Sequence, residues 1–196
     1  MVRLLLLCIL MTLPGALSAQ EGSSSSRSHE GRVGSTAALV AKGSDLAGEK
    51  RIHLGGWAGL VFGEHWIVGG GGFALLEAVE LGTSGSGSGF DLGMGYGGIQ
   101  FRYRRPFLSR LAMEAGALLG AGHAEVREQI QGLEKGSDNF YVVEPEVSAL
   151  YAIVPWMHLE IAGGYRVVWG VEDLPLVSAQ DLRAATASLS LRLGGG

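Results

Sequence analysis

From Arg51 onward the chain is written in strands of period two, and the segments that join them alternate between short and long. Between Met157 and Trp169 the odd positions Met157, Leu159, Ile161, Tyr165, Val167 and Trp169 are apolar, whereas His158, Glu160 and Arg166 occupy even positions. Successive side chains of a strand point to opposite faces, so one face of this segment suits hydrocarbon and the other tolerates charge. The joining segments are Gly63-Glu64, Glu80 to Gly89, Pro106 to Ser109, Glu128 to Asn139, Val154-Pro155 and Val171 to Asp181. Short connections at one end and long ones at the other are what an antiparallel up-and-down transmembrane β-barrel produces, its short turns lying on the periplasmic side.

The amino terminus bears on compartment. Arg3, the largely apolar stretch Leu4 to Leu13 and the small residues around Ala16-Leu17-Ser18-Ala19 read as a secretory signal peptide over residues 1–19. The apolar stretch is too short to span a bilayer, which needs about 20 such residues. Residues 20–32, with the run Ser23 to Ser26, are expected to be a flexible segment, and residues 33–196 the barrel. Cys8 is the only cysteine and leaves with the signal, so disulfides and thiolate sites are excluded from the mature chain.

Apolar residues make up 47% of the sequence, yet beyond the signal they form no run of the roughly 18 residues that a membrane helix needs. A dispersed apolar content suits membrane strands instead. The balance of 15 basic against 19 acidic residues is not that of a nucleic-acid binder. Glycine, at 33 of 196 residues, is well above the ordinary share of about 7%. Its clusters at Gly55-Gly56, Gly69 to Gly72, Gly97-Gly98 and Gly163-Gly164 fall inside strands, where they permit the coiling and bulges that a small closed barrel requires.

Eight strands are expected: Val33 to Lys42, Arg51 to Phe62, His65 to Glu77, Phe90 to Arg104, Arg110 to Val126, Phe140 to Ala152, Trp156 to Trp169 and Arg183 to Gly194. The first is weakly patterned, since Ala37 to Ala41 is nearly uniform and could be a helical turn, but an even strand number favours keeping it. Gly43 to Lys50 then becomes a surface loop, as do the Gly-Ser run, Glu128 to Asn139 and Val171 to Asp181. Parity puts Ile52, Leu54, Leu60, Met113, Val147, Leu189 and Leu191 outward, and Arg51, His53, Trp57, Ser148, Thr186, Ser188 and Ser190 inward. In the fourth strand the apolar parity switches between Leu92-Met94-Tyr96 and Ile99-Phe101-Tyr103, which predicts a bulge at Gly97-Gly98. Pro145, lacking an N–H, should mark a second irregularity. Trp66, Tyr151, Trp156 and Trp169 fall near strand ends, where aromatic girdles belong.

The order of glycine-aromatic pieces, from Gly55-Gly56-Trp57 and Trp66 to Phe73 through Gly95-Tyr96-Gly97-Gly98, Phe140 to Glu146 and Gly164-Tyr165-Arg166, resembles an uncharacterised family of small bacterial outer-membrane β-barrel proteins. The resemblance covers about Val33 to Gly194 and implies an eight-stranded barrel in the outer membrane, with no known activity. The partners to expect are outer-membrane lipid, the assembly machinery during insertion, and an envelope or external protein at the loops; nucleic acid is not among them.

Inside such a barrel the polar residues Arg102, Glu114, Glu144, Glu146, His158, Glu160, Arg166 and Arg192 are expected to meet. Glu144 and Glu146 share a face on one strand, and His158 and Glu160 share a face on its neighbour, so a cation site or an acid–base pair is conceivable chemistry. An eight-stranded interior is only wide enough for side chains to fill it, and buried carboxylates must be paired, so a structural network neutralised by Arg102, Arg166 and Arg192 is the favoured reading. His53 and Trp57 read as lumen packing, and His123 with Glu125 as rim surface. No nucleophile stands beside a base: Ser188 and Ser190 lie on a different strand from His158. The expectation is therefore a structural or interaction barrel with a plugged polar lumen and loops as contact sites, neither an enzyme nor a cofactor binder. A lipid-modifying outer-membrane enzyme and a small-molecule-binding barrel or narrow pore are the alternatives. A soluble barrel with every face inverted has the same periodicity.

Overall fold

A computed structural model describes residues 33–46, 48–83, 89–128, 134–172 and 174–194. The signal peptide, the segment 20–32, residues 84–88 of the Gly-Ser run and residues 129–133 lie outside the described residues.

The described chain is all strand, turn and irregular loop. Its strands are β1 (Val33–Leu46), β2 (Glu49–Phe62), β3 (Trp66–Leu75), β4 (Val79–Thr83), β5 (Gly89–Leu108), β6 (Leu111–Glu128), β7 (Glu134–Val154), β8 (Met157–Trp169) and β9 (Ala184–Gly194). All neighbours pair antiparallel, in the order β3-β2-β1-β9-β8-β7-β6-β5-β4, and β3 also pairs with β5. That last pairing closes the sheet into a ring. β3 runs along β5 from Trp66↔Tyr103 to Ala74↔Gly95, and after a bend at Leu76–Ala78 β4 continues along the same edge at Val79↔Leu92. β3 and β4 thus share one position, and nine strands fill eight places in the ring. The first and last strands meet at a seam running from Thr36↔Gly194 to Ser44↔Thr186.

Strand alternation decides which way each side chain faces, and the faces follow the sequence parity. Ile52, Leu54, Leu60, Met113, Val147, Leu189 and Leu191 are exposed on the outside, while His53, Trp57, Arg102, Glu114, Glu144, Glu160, Arg166 and Arg192 are buried within. Apolar outside and charged inside is the polarity of a barrel whose solvent is lipid, not water. Outward aromatics form two belts. Trp66 and Tyr103 meet at 5.0 Å at the turn end, and Tyr141 stacks on Trp169 at 6.1 Å at the loop end. Tyr141 and Tyr151 mark the two belts on β7, and ten residues at about 3.3 Å each, tilted by about 40°, span roughly 25 Å along the axis, the height of an outer-membrane apolar band.

Three local expectations are overturned, two loops and a bulge, and one strand is extended. Gly43 to Lys50 is no long loop: β1 and β2 pair up to Leu46↔Glu49 in a tight hairpin whose Gly48 takes φ +83°. The described part of Glu128 to Asn139 is strand as well, since β6 ends at Glu128 and β7 begins at Glu134. The weakly patterned first strand is regular, and longer than its alternation suggested. No bulge occurs at Gly97-Gly98, where the register runs evenly through Gly97↔Ala121 and Gly98↔Gly120. Leu92, Met94 and Tyr96 are simply inward, Leu92 and Met94 into an apolar outer part of the lumen and Tyr96 with its hydroxyl on Glu144. At Pro145 the β7–β8 pairing is interrupted between Val143↔Val167 and Glu146↔Gly164, but the register does not shift.

Inward glycines stand opposite large side chains. Gly71 faces Trp57 across β2–β3, where a Cβ would sit 2.5 Å from the Trp57 Cβ. Gly116 faces Arg102 across β5–β6, where a Cβ would come within 2.7 Å of the arginine Cγ. The glycines thus leave the narrow interior free for a few bulky groups.

Candidate functional site

The lumen has three levels. Nearest the turn end, Glu114 on β6 accepts hydrogen bonds from Arg192 Nη1 and Nη2 at 2.6 and 2.8 Å and from Arg104 Nε at 2.7 Å. Glu160 on β8 accepts from Arg102 Nη1 at 2.6 Å and from the Ser190 hydroxyl at 3.3 Å, with Arg192 Nε 3.5 Å away. Both guanidiniums lie over the Trp57 ring, at 4.6 Å for Arg102 and 4.4 Å for Arg192. Planar, delocalised cations suit both tasks at once, bidentate pairing and aromatic contact.

In the middle level, Arg102 Nη2 donates to Glu146 at 2.7 Å, and Lys42 Nζ donates to Glu144 at 2.7 Å while standing 3.6 Å from Glu146. Glu144 also accepts from the Tyr96 hydroxyl at 2.8 Å and the Thr186 hydroxyl at 3.0 Å. A void of about 10 Å³ remains between Lys42, Gln100, Arg102, Glu144 and Glu146. That is about the space one water molecule needs.

Above it, Arg166 is fully buried. It donates to the Leu182 carbonyl at 2.9 Å and the Ser44 hydroxyl at 3.3 Å, and its Nη1 lies 3.4 Å from His53 Nε2. The Tyr96 ring is 5.4 Å from its Cζ. The outermost level is apolar. Leu46, Val79, Leu92, Met94, Val126, Phe140 and Val168 pack there against Leu174, Val177 and Leu182, which the segment 170–183 folds into the mouth. Asp138 on β7 receives the Glu172 N–H at 2.7 Å, tying this segment to the rim. Ser178 donates its N–H and its hydroxyl to Asp181, at 2.8 and 2.7 Å, and these bonds hold the Asp181 carboxyl below its usual range. At the segment's tip, Leu176 takes φ 68°, a left-handed conformation that costs a leucine about 1–2 kcal/mol.

Of the residues expected in the network, Arg102, Glu114, Glu144, Glu146, Glu160 and Arg192 come together as one cluster of hydrogen bonds and ion pairs, with Lys42 bridging Glu144 and Glu146. Arg166 does not join it as expected. It makes no carboxylate contact within 4 Å among the described residues, and the neutralising cations are Lys42, Arg102, Arg104 and Arg192. Between the pairs Val143↔Val167 and Glu146↔Gly164, Arg166 stands opposite Glu144 on β7, but its guanidinium turns to the Leu182 carbonyl, Ser44 and His53, at the boundary of the charged and apolar levels. His158 lies half-buried at the turn end, opposite Ala152 and Arg192, and its Nδ1 has no hydrogen-bond partner there. Glu144 and Glu146 are further along β7, so the convergence of imidazole and carboxylates does not form. Among the described residues no three His, Cys, Asp or Glu side chains are placed to hold a metal ion. His123 Nδ1 lies 3.1 Å from the Asn139 side-chain oxygen, and Glu125 pairs with Arg127, all at the rim. Sequence reasoning missed Lys42, Arg104 and Tyr96; the even parity of Thr36, Ala38, Val40 and Lys42 was the available signal for the first.

Fold and site together define a class: the small transmembrane β-barrel with eight ring positions, the architecture of bacterial outer-membrane proteins. Within that class the chain is similar to Neisserial surface protein A, at 16% identity over 84% of this chain and 99% of the other, with a TM-score of 0.52. It is also similar to Ail, the attachment invasion locus protein of Yersinia pestis, in complex with the heparin analogue sucrose octasulfate: 11% identity over 84% and 97% of the two chains, TM-score 0.49. The same protein in a phospholipid bilayer nanodisc gives 14% identity over 83% and 99%, TM-score 0.45. No family model matches the chain, and no curated protein matches it.

Proposed function

We propose that this chain is a closed outer-membrane barrel that works as a rigid platform, its lumen a structural plug and its outer rim the contact surface for an envelope or external partner. The observation that carries this reading is the interior. Five buried cations, Lys42, Arg102, Arg104, Arg166 and Arg192, and four glutamates occupy it, and the void among them is about 10 Å³. A substrate or a hydrated solute has no room beside them, so the interior serves the scaffold. Binding then belongs to the segments that the scaffold presents. The segment 170–183, anchored through Asp138 and exposing Leu176, is one of these. The barrel is not an enzyme and holds no cofactor.

The test is conductance with an activity control. Purified barrel in a planar bilayer should give no stepwise current, and the Arg102→Ala/Arg192→Ala variant, if still folded by heat-modifiable mobility, should leak. Stepwise current from the unaltered protein would refute the plug. Lipid hydrolysis or acyl transfer that survives loop shortening but is lost in His158→Ala would replace the platform with an enzyme.

A further inference from the structure

The turn end of the barrel carries cations that the lumen does not use. Arg105 follows the outward parity of Phe101 and Tyr103, opposite the exposed Met113 on β6, so it projects from the outer wall just beyond the aromatic belt. Arg110 forms the β5–β6 turn with Ser109, and its carbonyl accepts the Ala152 N–H at 2.9 Å, which fixes the turn against β7. Both arginines are exposed, and neither has an ion-pair or hydrogen-bonding side-chain partner among the described residues. Between them Phe107 and Leu108 are 69% and 64% exposed, and Trp156 is exposed on the next hairpin around the ring. Glu64 is the carboxylate of the described turns at this end, and it stands on a different hairpin.

An apolar side chain left this exposed at the edge of a lipid-facing belt is at home in hydrocarbon, not in water. A guanidinium beside it then lies at headgroup depth, where its planar fork can take two phosphate oxygens. We propose that the β5–β6 hairpin is a binding site for an anionic phospholipid, with Arg105 and Arg110 on the headgroup phosphate and Phe107 and Leu108 seated in the interface beside it. The assignment rests on the membrane-spanning reading of the barrel, and on neither the plug nor the outer segments.

The experiment is native mass spectrometry of the barrel extracted from bilayers of mixed phosphatidylglycerol and phosphatidylcholine, with folding checked by heat-modifiable mobility. The unaltered protein should retain phosphatidylglycerol in preference. The preference should fall by about fivefold for each arginine removed in Arg105→Gln and Arg110→Gln. It should fall only in part in Arg105→Lys/Arg110→Lys, which keeps the charge but loses the fork, and persist in Lys50→Gln at the opposite end. Equal lipid retention by folded wild-type protein and the folded double glutamine variant would overturn the site. So would arginine-dependent binding to peptidoglycan without any lipid preference, which would make the hairpin a cell-wall contact. A barrel that showed no heat-modifiable folded form would instead count against the membrane reading itself.

Discussion

Arg192, on the last strand, gives both terminal guanidinium nitrogens to Glu114, on a strand three places away around the ring, at 2.6 and 2.8 Å. The pair crosses the lumen instead of bracing neighbouring strands. Its removal should therefore be felt by the whole ring. Arg192→Met leaves a buried carboxylate to Arg104 and the more distant Arg102, and should cost about 3 kcal/mol, the low end for a broken buried pair. Adding Glu114→Gln should recover part of that loss. Denaturant unfolding of the two single variants and the double in lipid would check this, and strict additivity would mean that the groups are not coupled.

Exposure means different things at different depths. Leu189 is 52% exposed near the middle of the apolar band, and Leu176 is 69% exposed at the tip of the outer segment. An arginine at Leu189 enters hydrocarbon and should cost about 2–4 kcal/mol, whereas Leu176→Arg should be near neutral. Folding yield into vesicles distinguishes the two, and equal yields would contradict the placement of the membrane.

Neighbouring glycines should differ as sharply. Gly71→Ala puts a methyl group 2.5 Å from the Trp57 Cβ, and should destabilise by about 1–3 kcal/mol and displace the indole from the two arginines. Gly70→Ala meets only the Gly98 carbonyl at 3.5 Å, an ordinary contact, and should be tolerated. Unfolding midpoints and tryptophan emission would separate the two.

The Ser178–Asp181 turn should respond to acid. Because the folded carboxyl has a depressed pKa, its contribution is complete above the ordinary aspartate value and disappears as the pH falls through the lower folded one. Protection of the Ser178 amide, measured against its intrinsic exchange rate, should fall over that acidic window in the native chain. Asp181→Asn should remove the pH dependence.

Period two made most of this legible: the faces of Ile52, Leu54, Glu144, Glu160, Leu189 and Arg192 all follow from parity. Alternation does not say whether an inward face is charged or apolar. Leu92, Met94 and Tyr96 therefore looked like a parity switch, when all three face inward, Leu92 and Met94 into the apolar level and Tyr96 onto Glu144 below it. Nor does local pattern reveal which residues meet across a lumen. Arg166 stands opposite Glu144 across β7–β8, yet its guanidinium goes to Ser44, His53 and the Leu182 carbonyl, partners brought in by β1, β2 and the outer segment that no single strand encodes. Lys42 was lost in a run of small residues whose alternation is nearly silent.

The charge arrangement also orders assembly in time. Glu114, Glu144, Glu146 and Glu160 lie on β6, β7 and β8, while Lys42 and Arg192 come from the strands at the closing seam. A sheet that has formed only its central strands holds carboxylates for which Arg102 and Arg104 are too few, and hydrocarbon rejects such a half-neutralised surface. Full insertion must therefore coincide with closure, when the two terminal strands deliver the missing cations.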